Sequence, residues 1–96
     1  MEVKLVLHKK LWIKDRYLLE MSVHQVPKSL KYPQGFKYGM IFIDIKTSAK
    51  VLMDNHHPKG PHVHINEYEF TYKFDSIDQL VSDFNKLVLD HMGLKL

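Results

Sequence analysis

The hydrophobic period of this chain changes near its end, and that change limits the folds open to it. From Val3 to Tyr72 apolar residues recur every second position, in several separated runs; from Ile77 to Val88 they recur at intervals of three and four. A period of two is that of half-buried antiparallel strands, and a period near 3.6 is that of a helix with one apolar face. Each kind of segment has one side to bury. The simplest way to bury both is to lay the helix on the sheet.

The strands follow from the runs. In "VKLVLHKKL" the alternation places Val3, Leu5 and Leu7 on one face. After a charged turn near Lys14 and Asp15, "YLLEMSVHQV" puts Tyr17, Leu19, Met21 and Val23 on one side and Glu20, Ser22 and His24 on the other. "PKSLKYPQG", with Pro27, Pro33 and Gly35, reads as a loop. "FKYGMIFIDI" is the most apolar run and reads as the central strand, with Phe36, Tyr38, Met40 and Phe42 sharing a face. Its unbroken apolar stretch predicts cover on both faces. A hairpin around residues 46–49 leads into "KVLM". Residues 54–61, with Pro58 and Pro61, form a loop before the extended segment "HVHINEYEFTY".

The helix carries its own signals. Ser76 with Gln79 three residues later suggests a capping box, and Gly93 a stop. Ile77, Leu80, Val81, Phe84, Leu87 and Val88 make the apolar stripe. The expectation is an α+β fold: an antiparallel meander of about five strands over roughly residues 2–73, with one C-terminal amphipathic helix over roughly 77–92 packed on the sheet. At 96 residues there is room for one core, so residues 1–96 are read as one domain.

Composition narrows the function classes. There is no cysteine, which excludes disulfides and thiolate metal sites. The opening "MEVKLVLHKKLWIKDR" has neither a secretory apolar region nor a membrane span, so a cytoplasmic protein with no membrane partner is expected. The net charge of +3 is uneven: residues 1–73 hold twelve Lys/Arg against seven Asp/Glu, and residues 74–96 hold two against four. A basic body suggests an anionic ligand.

Four of the seven histidines fall in "DNHHPKGPHVHI", residues 54–65. Three chemistries suit it. In a strand His62 and His64 point to the same side, and with His56 or Asp54 they would hold a divalent metal such as Zn or Ni. Lys59 stands against that, as an ammonium beside the cation. Alternatively the imidazoles transfer protons in metal-free phosphodiester cleavage of RNA, where the 2′-hydroxyl is the nucleophile. Lys59 and Arg16 would then meet the developing charge, and tyrosines such as Tyr38 or Tyr68 would stack a base. The third reading is a turn whose polar side chains only satisfy backbone groups.

"FKYGMIFIDIKTSAKVLMDNHHPKGPHVHI" followed by "YEFTYKFDSIDQLVSDFNKLV" resembles the TumE family, small toxins of prokaryotic toxin–antitoxin pairs. The likeness runs over residues 36–90: a Tyr-containing strand, an Asp-Asn-x-His-x-x-Gly-x-His-x-His block, a Tyr/Phe strand and one amphipathic helix. On this chain the block falls on Asp54, Asn55, His57 or His56, Lys59, Gly60, His62 and His64. A basic-Tyr pair falls on Lys37 and Tyr38, where arginine is more usual; lysine keeps the charge but loses bidentate phosphate recognition. The resemblance implies a growth-inhibiting toxin with a cognate antitoxin as partner. The ribonuclease step comes from the residues and not from the resemblance.

The expected site therefore has His62 and His64 transferring protons, with His57 or His56 as third. Lys59, Lys37, Tyr38 and Arg16 would contact phosphate or substrate, and Asp54 and Asn55 would orient the site. No cofactor is needed in this reading; the metal alternative uses His56, His62 and His64. The other alternative is a module that binds RNA or the antitoxin without cleaving. An exposed sheet edge would favour a homodimer.

Overall fold

The computed structural model describes residues 3–96. Among them lie six strands and one helix: β1 (Lys4–Ile13), β2 (Tyr17–Gln25), β3 (Phe36–Asp44), β4 (Lys50–Asp54), β5 (His62–Ile65), β6 (Tyr68–Thr71) and α1 (Ile77–Met92). The strands form one antiparallel sheet in sequence order, each paired with its chain neighbours. The α+β meander with a C-terminal helix is the predicted fold.

The sixth strand arises inside what the alternation presents as a single extended segment. Asn66 takes φ 55 and starts a two-residue turn between Ile65 and Tyr68. Asparagine tolerates this left-handed conformation, and its side chain accepts from Lys50 N–H at 3.0 Å, pinning the turn to β4. Lys14 and Asp15 are both left-handed as well, at φ 54 and 52, matching the twist of the β1–β2 hairpin.

Register decides which side chains share a face. Met21, Met40, Met53 and Val63 form one row across β2–β5, and Leu19, Phe42, Val51 and Ile65 the next. All eight are buried. Leu80, Phe84 and Val88, on one side of α1, are fully buried above them. At its N-terminus α1 is capped by Ser76, whose hydroxyl accepts from Gln79 N–H at 3.1 Å. The Gln79 amide donates to Asp83 at 2.7 Å instead of returning to the cap, so one half of the capping box forms. Gly93, at φ 71, ends the helix.

Two expectations on the strands are corrected. A bulge in β1 pairs Leu5 with His24 but Leu7 with Val23, so the two leucines fall on opposite faces. The central strand is covered on one face only: Ile41 and Ile43 stay half-buried on the side that the helix does not reach. That helix-free face carries most of the polar alternates, with Ile41, Ile43 and Leu52 interspersed among them. His8, Ser22, Gly39, Asp54, His62 and Thr71 form one row across the sheet, and Lys10, Glu20, Ile41, Leu52, His64 and Glu69 the next.

Candidate functional site on the helix-free face

The predicted histidine turn begins where the β3–β4 ladder ends, at Gly39 and Asp54. Asn55 extends the ladder with its side chain. Its carbonyl accepts from Tyr38 N–H at 2.9 Å, and its amide donates to Phe36 C=O at 2.7 Å. A buried asparagine here satisfies two backbone groups that β4 no longer reaches. What it orients is the chain and not a histidine. Beyond it the loop passes through a cis His57–Pro58 peptide and Gly60 at φ 75, then enters β5.

Asp54 and His62 face each other across the β4–β5 ladder. Asp54 Oδ1 accepts from His56 N–H at 3.1 Å and lies 3.1 Å from His62 Nε2. His62 Nδ1 lies 2.7 Å from Gly60 C=O, an acceptor only, so Nδ1 carries a proton. Both nitrogens of a buried ring are thus committed to oxygen acceptors. With both nitrogens so engaged, the ring has none free to meet a substrate.

His64 does share the side of His62, as the period of two predicts. The rings meet edge to face with centroids 4.8 Å apart. His64 Nε2 lies 3.7 Å from Glu69 Oε2, its cross-strand neighbour. Lys59 donates to both oxygens of Glu69, at 2.7 and 3.0 Å. The Lys59 hydrogen bond, followed by its charge, holds the Glu69 carboxyl below its usual range against an opposing desolvation effect.

Beside this cluster the face is concave. A groove of about 580 Å³ is lined by Ser22 and His24 of β2, Lys37 and Gly39 of β3, and Asp54 and His56. Its floor is Gly39, where a Cβ would meet nothing within 4 Å. With neighbouring strands about 4.8 Å apart, β2 and β4 stand about 10 Å from each other. His24 and His56 therefore line one space from opposite sides. Of the two adjacent turn histidines, His56 lines the groove, and His57 is exposed on the loop outside it.

Three predicted contacts are engaged otherwise. Arg16 sits at the other end of the sheet, where it binds Asp44 through two nitrogens at 2.8 to 3.2 Å. That arginine holds the Asp44 carboxyl well below the usual carboxylate range. Tyr38 borders the groove, but its ring belongs to the helix-side core, stacked on Phe74 at 5.7 Å, and cannot stack a base. Its hydroxyl has no partner among the described residues, and burial pushes its pKa up. Lys59 is committed to Glu69 and does not line the groove. Tyr68 remains exposed on β6.

Ser22 and His24 are the residues that sequence reasoning leaves out. The alternation in β2 does place them opposite the core. Only the β2–β3–β4 register carries them to the histidine turn, about 30 residues away in sequence.

Comparison with known protein families, with curated proteins and with solved structures returns no match for this chain. Its functional reading rests on the residues and their geometry. Among the described residues no helix is long and apolar enough to cross a membrane.

Proposed function

We propose that this chain is the toxin component of a toxin–antitoxin pair and acts on RNA by metal-independent cleavage in the groove of the helix-free face. The toxin part rests on the resemblance of residues 36–90 to the TumE family; one observation carries the cleavage part: two imidazoles, His24 on β2 and His56 on the loop after β4, line a glycine-floored groove from opposite sides, with Lys37 between them. Cleavage by the 2′-hydroxyl needs one group to take that proton, a second to protonate the departing 5′-oxygen, and a cation for the charge on phosphorus. His24 and His56 suit the two proton steps, and Lys37 the third. The Asp54–His62 pair fixes the end of β4 from which His56 departs. This moves the proton-transfer role from His62 and His64, whose nitrogens face Gly60, Asp54 and Glu69.

The test is cleavage of RNA by purified protein in the presence of a chelator. The expected products end in 2′,3′-cyclic phosphate and 5′-hydroxyl, and a 2′-deoxy residue at the scissile position blocks the reaction. His24→Ala and His56→Ala should each lower the rate by about 10²–10⁴-fold. Gly39→Val should abolish cleavage with the fold kept, because its side chain enters open groove and suits a strand. Salt-sensitive RNA binding with intact RNA would replace the enzyme by a binding module. Cleavage and growth inhibition that survive in the His24→Ala/His56→Ala double variant would remove the groove as the site.

A further inference from the structure

We infer that His62, His64 and Glu69 form a binding site for a divalent first-row transition metal of the Zn²⁺ class, on the helix-free face next to the groove. One ligand atom from each of the three lies within 4.8 Å of the others. The ligands stand on paired positions of β5 and β6, so the ladder sets their spacing. Two imidazoles and a carboxylate make the donor set of an open zinc site, with a fourth position left for water or an oxyanion.

A second observation points the same way. Metal-bound histidines characteristically donate their other ring N–H to a carbonyl or carboxylate, which fixes the tautomer. His62 does this at Nδ1, 2.7 Å from Gly60 C=O. That leaves Nε2 as the nitrogen to meet a cation; in the free protein it lies 3.1 Å from Asp54 Oδ1.

Lys59 is the counter-observation, since its ammonium contacts Glu69. It rides on an exposed loop, and its partner is itself well exposed. Such a surface pair is weak and gives way to a directly bonded cation. A tetrahedral metal that holds two ligands at about 2.1 Å keeps them about 3.4 Å apart. A pair 4.8 Å apart must therefore close by more than an ångström, with Lys59 swinging out to free the exposed Glu69 carboxylate. Lys59 is then a stand-in for the metal's charge in the free protein.

Metal binding at this site is independent of the RNA reading, and its readout is binding rather than activity. Chelator-stripped protein is titrated with Zn²⁺ by calorimetry, with folding of each variant followed by circular dichroism. One Zn²⁺ per chain is expected. His64→Ala should weaken binding by more than about a hundredfold, beyond what loss of an outer-shell partner does. Lys59→Ala should tighten it about two- to fivefold, the reach of an exposed ion pair. The His56→Ala/His57→Ala variant should bind as the wild type does. Co²⁺ in place of Zn²⁺ should give visible d–d bands that disappear in Glu69→Gln. The site is overturned if wild type shows no saturable binding, if His64→Ala binds equally well, or if binding is lost with His56 and His57.

Discussion

At the scale of single residues, a few buried polar groups in this protein do backbone work. Asn55 replaces two ladder hydrogen bonds, and Asp44 receives Arg16 together with the N–H groups of Lys46 and Thr47. Because the Asp44 carboxyl is held below its ordinary value, its protonation disfavours the folded state. Its stabilising contribution is complete above the ordinary carboxylate pKa of about 3.9 and is lost as pH falls below that. Melting temperature measured from pH 7 to 2 should fall steeply below about pH 4 in the wild type. Asp44→Asn should melt lower at pH 7 and lack that part of the slope. Tyr38 gives the opposite case. Its buried hydroxyl has no partner among the described residues, and an unpaired buried hydroxyl costs about 1–3 kcal/mol. Tyr38→Phe should therefore raise the midpoint of denaturant unfolding, and it should leave RNA cleavage unchanged, since the ring lies on the helix side.

At the scale of elements, α1 and the hairpins follow local rules, with tertiary exceptions at their ends. Ser76→Ala should cost about 1 kcal/mol through loss of the cap. Phe84→Ala should cost about 3–5 kcal/mol, because Phe84 is fully buried over the sheet rows. Both are read from equilibrium denaturation, and their ratio checks that the helix is held by its packed face more than by its cap. The apolar stripe from Ile77 to Val88 is legible in the sequence because one helix face buries it continuously. The break between β5 and β6 leaves a fainter mark: the polar pair Asn66-Glu67 shifts the apolar positions from Val63 and Ile65 to Tyr68 and Phe70, and the left-handed Asn66 reverses the chain there. The β1 bulge is hidden, since one inserted residue leaves the composition of a strand unchanged.

At the scale of the whole molecule, one helix covers one face, and the other face gathers most of the polar alternates of the strands. Lys37 and the histidines of the groove give that face the charge and titratable groups for a polyanion. Lys37→Glu should weaken RNA binding about equally across sequences. It should also lower the slope of log affinity against log salt, by roughly one for each phosphate that no longer meets a cation. Filter binding from low to physiological salt checks this. An unchanged slope would place the RNA on another surface.

Local sequence was enough for the α+β class, the helix limits and the shared side of His62 and His64. These depend on periods of two and 3.6 and on neighbours within a few positions. The place of the histidine turn between two strands was local in the same sense. What those histidines face depended on long-range pairing. Strand register brought Ser22 and His24 to Lys37, Gly39 and Asp54, and the loop return aimed His62 at Gly60. Packing sent Tyr38 into the core, because an alternation shows which residues share a side but not which side the helix will cover. Pairing kept Arg16 at the far end, because its partner Asp44 lies 28 residues away in sequence.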